Sequence, residues 1–160
     1  MADLLEALLQ IKALAETPAR IARLVRSADA PRWTVRRSPA EWAPVEVLAH
    51  LADAELLFGL RVRMILSADR PLLPVLEQRG LAERARYLSW APEVALERFT
   101  ARRGETVELL ASCSAPELGR VGVHPVRREV TLADVVAIML AHDTDHLGQM
   151  RERLGLAGVP

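Results

Sequence analysis

The chain has 160 residues, enough for a single domain over 1–160 that buries a core without disulfide staples. Hydrophobic residues make up 51% and charged residues 26%, and 21 Lys+Arg balance 21 Asp+Glu, so there is no basic excess to offer a nucleic-acid partner. Charge breaks every long apolar stretch within a few residues, which argues against a membrane span, and Asp3 and Glu6 interrupt any signal-peptide pattern.

Ala, Leu, Glu and Arg dominate and Val/Ile/Thr runs are absent, a helix-forming composition. The first helical segment runs from Asp3 to about Ala28, with Leu4, Leu8, Ile11, Ala15, Ile21, Leu24 and Val25 apolar. Thr17-Pro18 interrupts it, so it is either two helices or one kinked helix. Residues 29–43 hold Pro31, Trp33, Pro39 and Trp42 and read as an ordered loop. Trp33, Trp42 and Trp90 suit core anchors at loop–helix junctions.

Pro44 opens a second helix to about Ser67, whose stripe is Val47, Leu48, Leu51, Phe58, Val62 and Ile65. Residues 69–92 carry Pro71, Pro74, Gly80 and Pro92, with at most a short helix from Leu81 to Arg86. Such a long connection suits a crossover between helices that are not antiparallel neighbours. A third helix spans Pro92 to about Ser112, and a loop with Pro116, Gly119, Gly122 and Pro125 follows. Thr131, with Asp134 three residues on, caps a fourth helix that ends before Gly155. No strand is expected. The fold class is all-α, a four-helix bundle with a long crossover connection.

Cys113 is the sole cysteine, so no internal disulfide forms, and its apolar flanks suit a small buried hydrophobe. A reducing, cytoplasmic setting is the natural expectation.

His142 and His146 lie four apart on the fourth helix, so both rings leave one face, one turn apart. That is the spacing by which a helix offers two ligands to one metal. At 100° per residue, His50 flanks the apolar stripe of the second helix, and His142 and His146 flank that of the fourth. Two ligands from one helix and one from another can form a facial triad with positions left open.

Asp143 points toward the core and must be paired there. It is a candidate acceptor for the ring N–H of a ligand histidine, or else a structural partner of an Arg or Trp. Gln149, three residues after His146, lies near the same face and could touch a metal-bound water. Arg61 points almost the same way as His50 and could receive an anionic substrate. Asp53 and Glu46 flank His50 but point outward on the wheel. His124 sits in the loop before the fourth helix, and His142 lies about 15 Å beyond that helix's start at 1.5 Å per residue, so His124 is left out of the ligand set.

The stretch Trp42-Ala-Pro-Val-Glu-Val-Leu-Ala-His50-Leu-Ala-Asp-Ala-Glu55 resembles the second-helix signature of the DinB-like superfamily. That group includes the YfiT-type metal-dependent hydrolases and the bacillithiol- and mycothiol-linked transferases. Gly122-Val-His-Pro125, Thr131-Leu132 and Ala141-His-Asp-Thr-Asp-His-Leu-Gly-Gln149 resemble the matching fourth-helix signature, and Asp69 to Tyr87 resembles the crossover. The resemblance covers nearly the whole chain. It implies a four-helix bundle whose three histidines, mapping onto His50, His142 and His146, hold a divalent metal. Zinc or nickel come first, then iron or manganese. Leu76-Glu77-Gln78 departs from the family pattern, which has an aromatic and an aspartate before the glutamine. The crossover borders the pocket in such proteins, so the substrate does not carry over.

With no Ser/His/Asp or Cys/His arrangement visible, the chemistry expected is the metal's: hydrolysis, or thiol S-transfer from a low-molecular-weight thiol. The substrate class is a small molecule. The competing reading is a non-catalytic metal- or small-ligand-binding stress-response protein. A homodimer is common among the proteins it resembles.

Overall fold

The computed structural model describes residues 2–156. Helix α1 (Ala2–Ser27) is one continuous helix that contains Pro18. A proline inside a helix leaves the carbonyl four residues earlier without its donor. Here that carbonyl belongs to Leu14, and the guanidinium of Arg103 donates to it at 3.2 Å. Of the two readings open at Thr17-Pro18, the structure has a single helix, and a side chain from another helix supplies the donor that proline lacks.

A 3₁₀ turn (Ala30–Thr34) buries Trp33 and leads to α2 (Pro44–Ser67), which opens with proline in its first turn. Residues 44–52 of α2 are buried on every side. The crossover holds α3 (Gln78–Arg84) and a 3₁₀ turn (Tyr87–Ser89) before α4 (Pro92–Ala111). A short α5 (Ala115–Leu118) precedes α6 (Leu132–Arg153). Thr131 caps α6 as expected: its hydroxyl accepts from the Asp134 N–H at 3.0 Å, and its own N–H donates to the Asp134 carboxylate at 2.8 Å.

The four long helices form the bundle, with α2 packed against α4 and α6, and α1 against the same two. Arg102 meets Ala52, Arg103 meets Glu55, and Thr106 faces Gly59, so α2 and α4 run parallel as neighbours. A parallel pair cannot be joined by a short loop, which is why the crossover is long. A Cβ at Gly59 would stand 2.9 Å from the Thr106 hydroxyl, so glycine sets how closely the pair approaches. His50 meets His146 while Phe58 meets His142, so α2 and α6 run antiparallel.

The expectation of no strand needs correction. Val121–His124 (β1) and Arg128–Thr131 (β2) pair as an antiparallel hairpin with His124 opposite Arg128. Each strand has only four residues, too few for alternation to stand out beside Gly122 and Pro125. β1 also clasps the crossover: Leu73 donates to the Val123 carbonyl and Val123 to the Pro71 carbonyl, both at 2.8 Å. Among the described residues, no helix is long and apolar enough to cross a membrane.

The apolar core divides along the bundle axis. One cluster holds Leu14, Phe58, Leu110 and Met139, the other Ile21, Leu51, Phe99 and Leu147. The seam between them is ionic. Arg103, 2% exposed, donates to Glu55 at 2.9 Å and to both oxygens of Asp143 at 2.5 and 3.0 Å.

A three-histidine candidate metal centre

His50 lies on the second turn of α2, and His142 and His146 are one turn apart on the antiparallel face of α6. The Nε2 atoms of His50 and His146 each stand 3.1 Å from Nε2 of His142. All three donor nitrogens lie within 4.8 Å of one another. The rings meet edge-on, with centroids 4.4 to 5.1 Å apart.

Hydrogen bonding alone cannot satisfy this cluster. A neutral imidazole has one N–H and one lone pair, so Nε2 of His142 can serve only one of its two neighbours well. A common electrophile satisfies all three. Two nitrogens bonded to one ion at about 2.05 Å stand about 2.9 Å apart at a right angle and about 3.3 Å apart at the tetrahedral angle. The observed 3.1 Å lies between these limits.

Burial, followed by the other rings of the cluster, pushes His50 down to about 3, and burial with His146 and Arg103 does the same to His142. Burial also lowers His146. All three imidazoles are therefore neutral at physiological pH, the form that ligates a metal.

Gln149 supports the cluster directly. Its Oε1 lies 3.2 Å from Nδ1 of His146, and its amide nitrogen donates to Asp145 at 2.8 Å. That anchored orientation makes Gln149 the acceptor and puts the His146 proton on Nδ1, leaving Nε2 bare. Gln149 thus hydrogen-bonds and orients a candidate ligand.

Asp143 points into the core, as its phase on the helix requires. Its two oxygens go to Arg103 and not to a histidine. Of the two partners open to it from sequence, the structure selects the arginine, because Arg103 presents a two-pronged fork at the same level of the bundle. Asp143 sits between the two histidines of α6, so this ion pair fixes the rotation of that helix.

Trp42 packs 5.1 Å from the His50 ring and Phe58 5.5 Å from the His142 ring. A pocket of about 20 Å³ beside His50 is lined by Asp53, Leu57, Leu76, Gln78, Leu81 and Tyr87. The crossover therefore does border the site. Asp53 is half-buried there, accepting from the Tyr87 hydroxyl at 2.7 Å and from Arg102 at 2.9 Å. Its position three residues after His50 is the signal the wheel undervalued.

Glu46 is also turned inward, 3% exposed, accepting from Arg36 and from the Ala43 N–H at 2.8 Å. A wheel assigns one outer face to a helix, whereas the start of α2 has none, being covered by the loop before it. Arg61 and His124 lie outside the cluster and meet each other at 3.3 Å. Cys113 is half-buried, and burial pushes its thiol up, away from nucleophilic use.

A family model described as the DinB superfamily matches residues 13–150, a span that includes all three histidines. A curated relative from Halalkalibacterium halodurans, named as a putative metal-dependent hydrolase, is 22% identical over 144 residues, covering 90% of this chain and 84% of the relative. Among solved structures, YfiT from Bacillus subtilis matches with a TM-score of 0.85 at 20% identity, over 93% of this chain and 87% of that one. It is described as a probable metal-dependent hydrolase with an unusual four-helix bundle topology.

Proposed function

The chain belongs to the DinB superfamily, and on that premise we propose that it is a metal-dependent hydrolase of a small molecule, with His50, His142 and His146 holding one divalent ion. The observation that carries this is the convergence of three neutral imidazole nitrogens at a spacing that suits a shared ion. An all-nitrogen set suits zinc or nickel, with iron or manganese next. Such an ion supplies Lewis acidity, which activates water or a thiol at neutral pH.

The chain's own residues do the rest. Gln149 keeps the His146 proton on the far nitrogen, and the Asp143–Arg103 pair holds α6 in phase with α2. Asp53 is the carboxylate that lines the pocket beside His50, and Tyr87 and Arg102 orient it. Trp42 and Phe58 pack against the His50 and His142 rings and make their surroundings more apolar. Leu57, Leu76 and Leu81 give the pocket an apolar wall, and its small size suits a compact substrate group. The relatives' names support water, rather than a low-molecular-weight thiol, as the nucleophile.

Elemental analysis of protein purified without affinity-tag nickel tests the proposal, alongside His142→Ala. The expected result is about one divalent ion per chain in the native protein and loss of that ion in the variant, with chelation lowering the melting temperature of the native protein alone. Substoichiometric metal that the substitution leaves unchanged would overturn it. Release of product from small esters and amides, with and without the ion, then tests hydrolysis against thiol transfer.

A further inference from the structure

Arg61 is 8% exposed, yet no carboxylate among the described residues lies within ion-pair distance of it. Its Nε and Nη2 donate to the Pro74 carbonyl at 3.0 and 2.6 Å. A single carbonyl oxygen does not neutralise a buried guanidinium, so its charge is left without a counter-ion.

His124 deepens the imbalance. Its Nδ1 accepts from the backbone N–H groups of Val126 and Arg127, both at 3.2 Å. The ring proton must then sit on Nε2, and Nε2 is the atom that faces Nη2 of Arg61 at 3.3 Å. Two donors confront each other with no acceptor between them. Arg127 lines the same pocket and adds a second positive charge. The nearby carboxylate of Glu129 is taken by Arg70. Burial and the charge of Arg127 push the Arg61 guanidinium down, and burial with Arg61 and Arg127 does the same to His124.

We propose that Arg61, His124 and Arg127 form a binding site for one small anionic group, a carboxylate, phosphate or sulfate, set between α2, α6 and the hairpin. The pocket has about 10 Å³ of free volume, space for about one water, with Phe58, Leu73, Val135 and Ile138 as its apolar wall, so the anionic group would sit at its mouth, beside the exposed Arg127. An anion there accepts from Nη2 of Arg61 and Nε2 of His124 together, which removes the donor–donor conflict and supplies the missing charge. The hairpin creates the site: β1 clasps Pro71 and Leu73, which sets Pro74 against Arg61, while the end of β1 brings in His124 and the turn brings in Arg127.

The anion could be free or the tail of a substrate of the histidine site. His50, Asp53, Ala54, Leu57, Phe58 and Arg61 form one continuous stripe along α2, lining first one pocket and then the other. Phe58 touches both the Arg61 guanidinium and the His142 ring, at 5.6 and 5.5 Å. From His50 to Arg61 the helix rises about 16 Å. The substrate-tail form rests on the proposed metal site, whereas the anion site itself does not.

The first test is a ³¹P NMR titration of inorganic phosphate into chelator-treated protein at low ionic strength. It compares the native chain with Arg61→Gln, with Arg127→Ala, whose exposed side chain leaves folding intact, and with Arg84→Ala as a matched charge loss elsewhere. Saturable binding is expected, weakened about tenfold or more by Arg61→Gln and Arg127→Ala and unchanged by Arg84→Ala. Absence of saturable binding, or equal weakening by Arg84→Ala and Arg127→Ala, would overturn the site. Because no metal is present, this result stands apart from the fate of the histidine centre. A second probe, a long ω-mercaptoalkanoate on zinc-loaded protein, identifies the source. Tighter binding than the thiol-free alkanoate, lost in His142→Ala and Arg61→Gln, assigns the site to a substrate tail; equal binding assigns it to a free anion.

Discussion

The buried seam of the bundle makes an asymmetric prediction. One guanidinium, Arg103, faces two carboxylates, Glu55 and Asp143, each 1% exposed. If both were ionised, the core would carry a net negative charge, which is costly at low dielectric. The pair divides the work unequally. Asp143 engages Nη1 and Nη2 through both of its oxygens, whereas Glu55 meets Nε and Nη2 through Oε2 alone and its Oε1 has no hydrogen-bond partner. Burial raises the Glu55 carboxyl, only partly offset by the charge and hydrogen bond of Arg103.

Glu55→Gln keeps an acceptor for Arg103 and removes the surplus charge, so its cost should stay within about 1 kcal/mol of zero. Asp143→Asn turns one acceptor into a donor aimed at a guanidinium and breaks the better-formed pair, a loss of about 3–5 kcal/mol. Against a total stability of about 5–15 kcal/mol, only the second should be severe.

The pH dependence has a definite sign. A carboxyl raised above its ordinary 4.5 binds more protons in the native state, so its contribution is fully present below about 4.5 and is lost as pH rises through the folded value. Urea denaturation of chelator-treated protein, run at several pH values from about 5 to about 8, measures both effects. Glu55→Gln should remove this component of the pH slope. Equal costs for the two substitutions, or a greater cost for Glu55→Gln, would refute the assignment of Asp143 as the charged partner.

Two further substitutions test the elements that place the sites. A Cβ at Gly122 would stand 2.9 Å from Leu73 and 3.0 Å from Ile65. Gly122→Ala should therefore cost about 1–3 kcal/mol by overpacking where the hairpin meets the crossover, read as a lowered urea midpoint. Thr131→Ala removes the hydroxyl that accepts from the Asp134 N–H and should cost about 1 kcal/mol; a loss below the error of thermal melts would show that the cap does not anchor α6.

Most of the bundle was legible because its signals are local. Pro44 and Pro92 open α2 and α4, and Thr131 caps α6, each through chemistry that involves only near neighbours in sequence. The three histidines were legible for a related reason: helix period and spacing placed two of them on one face and His50 on the flank of another helix's apolar stripe, and the resemblance then matched all three. What stayed hidden depends on partners far along the chain. The continuity of α1 through Pro18 needs Arg103, 89 positions from the Leu14 carbonyl it satisfies. The partner of Asp143 and the inward turn of Glu46 depend on which segments cover a helix. The hairpin strands were too short for period two to register.

The crossover links these features into one design. Parallel packing of α2 and α4 brings Arg102 and Arg103 alongside Asp53 and Glu55, in the turns that follow His50. That arrangement requires a long connection, and the connection has to go somewhere. It runs along α2, where Leu76, Gln78 and Leu81 wall the pocket beside His50 and Pro74 meets Arg61. β1 then holds it down through two backbone hydrogen bonds at Pro71 and Leu73. The residues that depart from the family pattern, Leu76-Glu77-Gln78, lie within this strap. Glu77 caps α3 by accepting from the Arg79 and Gly80 N–H groups, while Leu76 and Gln78 face the pocket. Variation in the strap can therefore alter the wall of the pocket beside His50 without disturbing the helices that carry the histidines, so the pocket's shape and the proposed metal site are set by different segments of the sequence.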